Sequence, residues 1–119
     1  MHEPVECSFY QELGNGLVRC RLCPHNCTIA EGKTGLCRVR RNVGGKLIAE
    51  SFGRPVAVAV DPIEKKPLNW YRPGSKTFSI GTYGCNFRCR FCQNDTISRC
   101  GYDAGRPANY LPPQRVVEL

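Results

Sequence analysis

Cys85, Cys89 and Cys92 stand in the stretch GCNFRCRFCQN, Gly84 to Asn94, at the spacing CxxxCxxC. Thiolates are soft anionic donors, and three of them on one short loop can occupy three irons of a cubane cluster or three positions around one ion. A tetrahedral ion or an ordinary cubane takes four donors, and no fourth cysteine lies in the same tight loop. An open position marks a reactive site, whereas a closed set of ligands marks a structural one. Cys100, eight residues beyond Cys92, is the residue that can close the set. It would then give a zinc knuckle or a plain electron-transfer cluster.

A second group, Cys20, Cys23, Cys27 and Cys37, lies in CRLCPHNCTIAEGKTGLC. Four soft ligands on two loops suit a closed structural zinc or a rubredoxin-like iron, and they also satisfy a second iron–sulfur cluster. His25 lies between two of these cysteines and can replace one, although a loop-exposed histidine without a role is the simpler reading. Cys7 and Cys100 fall outside both groups and are read as free thiols.

The chain that must position these residues has 119 residues, 41% of them hydrophobic, enough for one modest core. No apolar run approaches the roughly 20 residues of a membrane-spanning helix. The opening MHEPVECSFY lacks a basic region followed by an apolar one, so the expected location is cytoplasmic with no membrane partner. Nine cysteines in a reducing compartment point to metal ligation or redox chemistry, and an odd count fits poorly with a closed disulfide framework. The formal charge of +7 counts every thiol as neutral. Four thiolates on a dication remove two charges and three on a cluster core of charge +2 remove one, leaving roughly +4. Arg38, Arg40 and Arg41 then read as a solvated strand face, and nucleic-acid binding is a minority reading.

Several local elements are legible. Val39 to Ser51 holds an Asn42 to Gly45 turn between strand-like residues, which predicts a small hairpin. PVAVAVDP, Pro55 to Pro62, is a short apolar run closed by prolines, and KKPLNWYRPGSK is a crossing loop. TFSIGTYG, 77 to 84, reads as a buried strand leading into the triplet, with Gly81 and Gly84 permitting close backbone approach. PPQRVVEL opens a helix with prolines suited to a first turn. Because that pattern has only begun at Leu119, the chain is expected to be cut from a longer protein.

With Phe91 immediately before the last cysteine, the triplet resembles the signature of radical S-adenosylmethionine enzymes. The longer string GTYGCNFRCRFCQN is similar to the branch containing the pyruvate formate-lyase activating enzymes. DPIEKKPLNWYRPGSKTFSIG, together with the upstream CxxCPxxC element, narrows the resemblance to the radical enzyme of the AmmeMemoRadiSam system, over about Val18 to Ser98.

The resemblance implies that Cys85, Cys89 and Cys92 hold a [4Fe-4S] cluster whose unligated iron binds the amino and carboxylate groups of S-adenosylmethionine. One-electron reduction of the sulfonium then releases a 5′-deoxyadenosyl radical that abstracts hydrogen from a partner. Phe91 is placed on the adenine side and Asn94 matches an extension of the motif; the plainer roles are an apolar loop anchor and a loop cap. Arg88 and Arg90 can offset cluster charge. No residue is assigned a catalytic role beyond ligation. The implied partners are an electron donor such as ferredoxin or flavodoxin and a hydrogen donor that is a glycyl-radical enzyme, another protein or a small molecule.

The expected fold class is α/β: the start of a partial (β/α) barrel at 76–119, preceded by a small β-rich, metal-stapled segment at 1–75. The elements that receive the rest of S-adenosylmethionine are expected beyond Leu119, so the isolated chain is expected to be inactive. Trp70 stands where the family commonly has histidine and carries no role. Two other function classes are consistent with the cysteines: a zinc-based nucleic-acid or interaction module, and a simple iron–sulfur electron carrier.

Overall fold

Gly44 and Gly45 both have positive φ, 62° and 81°, the backbone that a two-residue hairpin loop of matching twist requires. They join two of the seven strands found in the computed structural model, which describes residues 4–101 and 110–119. In chain order the strands are β1 (Tyr10–Gly14), β2 (Leu17–Cys20), β3 (Thr28–Ile29), β4 (Arg40–Val43), β5 (Lys46–Ala49), β6 (Pro55–Pro62) and β7 (Lys76–Thr82). A single 3-10 turn, Ile63–Lys65, follows β6. The helices are α1 (Asp95–Ser98) and α2 (Pro113–Glu118).

The strands form three small sheets, β1-β2-β3, β4-β5 and β6-β7, and every pairing within them is antiparallel. The hairpin expected between Val39 and Ser51 is β4-β5, and PPQRVVEL does turn into a helix. The expected α/β class, as the start of a partial (β/α) barrel, is overturned. A parallel strand pair needs a crossover connection, usually a helix, to carry the chain back. Instead, β7 runs antiparallel to β6, and the helices that follow have 4 and 6 residues, too short to cover a sheet.

The core lies between the first two sheets. Val18, Ile29 and Leu47 are fully buried, Cys7 and Cys20 nearly so, with Tyr10, Cys27 and Ala49 packed around them. The segment before β1 ties the sheets together: the Cys7 amide donates to the Leu47 carbonyl and the Ala49 amide to the Val5 carbonyl, each at 2.8 Å. Asn42 is the one buried polar side chain among the described residues. Its Nδ2 donates to the carbonyls of Gly16 (2.6 Å) and Ile29 (2.9 Å), while its Oδ1 accepts from the Gly45 amide at 3.0 Å. A core this small leaves a need for a staple.

β7 is not the buried strand its composition suggests. Its residues alternate, with Thr77, Ser79 and Gly81 half-buried and Phe78 and Ile80 exposed opposite Val60 and Val58 of β6. A two-stranded ribbon has a side chain on each face by turns, and only one face of β7 meets α1, where Ile97 packs over Gly81. Among the described residues, no helix is long and apolar enough to cross a membrane.

Candidate metal centre

The first cysteine group is assembled by turns at the ends of short strands. Cys20 ends β2, Cys27 immediately precedes β3, and the Cys20 amide donates to the Cys27 carbonyl at 2.9 Å. Between them the Asn26 amide closes a turn onto the Cys23 carbonyl at 3.2 Å, and Cys37 arrives on the loop before β4. Cys27 Sγ accepts the Leu36 amide at 3.5 Å, which fixes the sulfur against the loop that carries Cys37. Gly35 leaves room at the same sulfur: a Cβ there would lie 3.3 Å from Cys27 Sγ. Cys20, Cys23, Cys27 and Cys37 all line one hollow of about 450 Å³.

Cys85 stands in the wall of that same hollow, so the structure brings the two groups together. Two contacts make the junction. His25 Nε2 donates to the Asn86 carbonyl at 2.8 Å, giving this histidine a role that its sequence neighbourhood did not reveal. Gly84, at φ +80°, presses its backbone against Cys37: a Cβ there would run into the Cys37 carbonyl and lie 2.7 Å from a Val39 methyl.

Gly84→Ala is therefore expected to be much worse than Gly74→Ala. Gly74 has nearly the same φ, +81°, but open space around its Cα. Left-handed strain alone costs roughly 1–2 kcal/mol, so Gly74→Ala should fall in that range, and Gly84→Ala should lose about 2 kcal/mol more through the collision. Denaturant unfolding of the two variants measures the difference, and equal losses would remove the packing argument.

The triplet loop is largely exposed, with Cys85 open and Cys89 and Cys92 half-buried. The Cys92 amide donates to the Cys89 carbonyl at 3.3 Å, and that same carbonyl accepts Arg99 Nη2 at 2.8 Å. Cys85 Sγ accepts the Phe87 amide at 3.4 Å, and Cys92 Sγ lies 3.3 Å from Ser98 Oγ. A hollow of about 280 Å³ is lined by Cys85 and four arginines, Arg38, Arg88, Arg90 and Arg99. Arg38 and Arg99 thus join the Arg88 and Arg90 singled out from sequence, and Arg38 leaves the solvated strand face expected for it.

Phe91 is 87% exposed. Asn94 occupies the position before α1 without a side-chain capping bond; its backbone carbonyl accepts the Ile97 and Ser98 amides instead. Cys100 Sγ donates to the Thr96 carbonyl at 3.0 Å, back along its own turn. Cys7 lies in the core, where burial pushes its thiol above the ordinary range.

All nine cysteines are unpaired thiols. Among the described residues, no three Cys, His, Asp or Glu side chains are yet drawn to ion-binding distance of one another. Thiol donors are the right chemical type for the groups inferred from their spacing. Cys20, Cys23, Cys27 and Cys37 line one hollow, and the triplet is carried on one accessible loop with four arginines beside Cys85.

No protein-family model matches the chain. No solved structure matches it. It is similar to an uncharacterized protein of Methanocaldococcus jannaschii, 43% identical over 114 residues, which cover 96% of this chain and 34% of that protein. It is also similar to a 6-hydroxynicotinate reductase of Eubacterium barkeri, 31% identical over 86 residues, covering 71% of this chain and 16% of the reductase. The chain thus spans about a third of the length of the first of these relatives and about a sixth of the second.

Proposed function

We propose that this chain carries the cluster site of a radical S-adenosylmethionine enzyme, with Cys85, Cys89 and Cys92 as the three protein ligands of a [4Fe-4S] cluster. The observation that carries this reading is the orientation of Cys100. Its thiol is engaged with the Thr96 carbonyl, so the cysteine that follows the triplet in sequence is committed to its own turn. A [4Fe-4S] cluster held in this way supplies one electron to the sulfonium of S-adenosylmethionine, whose S–C5′ bond breaks homolytically to give the 5′-deoxyadenosyl radical.

The protein's own contribution is placement. Gly84 fixes the start of the loop against Cys37, and Arg99 holds the Cys89 carbonyl. The exposed ring of Phe91 and the side chain of Asn94 are free to meet the nucleoside of the co-substrate. Arg38, Arg88, Arg90 and Arg99 make the flank of Cys85 cationic, which suits a negatively charged electron donor of the ferredoxin or flavodoxin class. Cys20, Cys23, Cys27 and Cys37 hold a metal group of their own that staples the small sheets. Thiols in this number belong in a reducing compartment, and we place the protein in the cytoplasm. A related segment occurs in a protein named as a reductase, which agrees with a redox role. The hydrogen donor is a glycyl-radical protein, another protein or a small molecule.

The test is electron paramagnetic resonance of anaerobically reconstituted, reduced protein. Addition of S-adenosylmethionine should change the cluster signal, and S-adenosylhomocysteine, which lacks the sulfonium, should not reproduce the change. A signal indifferent to S-adenosylmethionine would leave a plain electron carrier, and a colourless protein holding only zinc would leave a structural module.

A further inference from the structure

The β6-β7 ribbon pairs Val58 with Ile80 and Val60 with Phe78. Alternate residues of a strand share a face, so these four apolar side chains stand on one side of the ribbon, and all four are exposed. A two-stranded ribbon is marginal by itself in water, and a contiguous apolar row left wet on it marks an interaction surface.

The loop that joins the two strands adds a rigid aromatic tip. Trp70, to which the sequence resemblance gives no role, is 96% exposed, and Tyr71 beside it is exposed as well. The loop is nevertheless held. Ile63 is buried at its base and its amide donates to the Ser75 carbonyl at 2.9 Å. The Glu64 carboxylate accepts the Gly74 amide at 2.7 Å, and the Ser75 amide donates to the Arg72 carbonyl at 3.1 Å. An aromatic tip fixed before it meets a partner loses little entropy on binding. Trp, Tyr and Arg, the residue types that dominate binding hot spots, stand consecutively at 70, 71 and 72.

The charges define the partner. Both acidic residues of the segment are already engaged: Asp61 pairs with Lys65 at 3.1 Å and Glu64 holds Gly74. Lys66, Arg72 and Lys76 are exposed and have no acidic partner among the described residues. The surface is therefore apolar and cationic together. A nucleic acid suits the cations and the rings but not the aliphatic row, because stacking platforms work beside a groove that follows phosphates. A second copy suits the row but sets the same unpaired cations against one another, on a chain of formal charge +7. A protein segment with apolar side chains flanked by carboxylates satisfies both features.

We propose that the exposed face of the β6-β7 ribbon and its connecting loop dock an acidic, amphipathic protein segment, with Trp70 as the anchor. The inference does not rest on the S-adenosylmethionine reading. The seven residues of β7 separate the loop from the triplet by about 20 Å, so this surface is distinct from the arginine flank of Cys85.

Trp70 is the sole tryptophan of the chain, so its fluorescence reports the site directly. The full chain is titrated with a synthetic peptide bearing leucines at helical spacing and glutamates between them, with the same peptide carrying lysines in place of the glutamates, and with single-stranded oligothymidylate. A further series varies the concentration of the chain alone. The glutamate peptide should shift the emission to the blue and saturate, with an affinity that falls about tenfold between low and high salt. The other three series should leave the emission unmoved. Followed by a label on the peptide, Trp70→Ala should weaken binding about 30-fold and Arg72→Gln about tenfold. Lys33→Gln, a charge change outside the surface, should have no effect. Because Trp70 is exposed, its truncation leaves the fold intact, which an unchanged circular dichroism spectrum verifies. A shift with oligothymidylate but not with the glutamate peptide would replace the inference with nucleic-acid binding, and a shift with the chain's own concentration would replace it with self-association. Binding that ignores both Trp70→Ala and Arg72→Gln, or no shift with any probe, would overturn it outright.

Discussion

Cys89→Ala should abolish the S-adenosylmethionine-dependent change in the cluster signal, while Cys100→Ala should leave that change within about twofold of its original amplitude. The two substitutions remove the same atom from residues eleven positions apart, yet only one is a ligand in the proposed arrangement. Loss of one of three thiolates leaves two, too few to retain a cubane against air or chelator. Cys100, by contrast, spends its thiol on the Thr96 carbonyl at 3.0 Å. A weak neutral hydrogen bond of this kind contributes no more than about 1 kcal/mol. Iron and sulfide content of the reconstituted variants provides the check. If Cys100→Ala empties the site as completely as Cys89→Ala, the fourth position is protein-bound and the co-substrate has nowhere to chelate.

Asn42→Ala should be among the most damaging substitutions away from the cysteines, lowering stability by about 3 kcal/mol. The side chain is completely buried and spans three partners that belong to different turns: Gly16 after β1, Ile29 on β3 and Gly45 in the β4-β5 loop. Truncation leaves two carbonyls and one amide to find other partners, each unsatisfied buried group costing roughly 1–3 kcal/mol less whatever water recovers. Against a total stability on the order of 5–15 kcal/mol, the first two sheets would separate early. Denaturant titration of metal-loaded Asn42→Ala against the parent chain measures the loss. A change below about 1 kcal/mol would mean that water replaces the amide without cost.

The position of Asn42 also shows where sequence reading stops. The Asn42 to Gly45 segment announces a turn because glycine at two successive positive-φ positions has a local cause, and the hairpin follows from those residues alone. The same asparagine is read locally as a turn former, although its side chain faces inward, and the carbonyls that hold it belong to residues 13 and 26 positions away. His25 is similar: its bond to the Asn86 carbonyl joins residues 61 apart, a contact that no spacing rule contains. Arg40 looks like one of a run of solvated cations until the fold sets its guanidinium beside the cysteine hollow.

Strand pairing was less legible than strand existence. PVAVAVDP and the strand before Gly84 have the composition of β-structure, but composition does not state the direction of the partner. The barrel expectation came from a resemblance carried by the cysteine loop, and the antiparallel β6-β7 ribbon replaces it. The sheet β1-β2-β3 escaped notice because its strands are short and carry Gln11, Glu12 and Arg19. The cysteine spacings, in contrast, needed no long-range information, since ligands on one loop are neighbours whatever the fold does elsewhere.

The question of whether one iron lacks a protein ligand is accessible to Mössbauer spectroscopy of protein reconstituted with isotopically enriched iron, recorded before and after S-adenosylmethionine is added. One iron of the [4Fe-4S] cluster at Cys85, Cys89 and Cys92 should separate from the other three and change its isomer shift on addition, as its coordination number rises. Four equivalent irons that ignore the added compound would contradict that expectation, and an iron that becomes distinct only after Cys100 is replaced would contradict it equally.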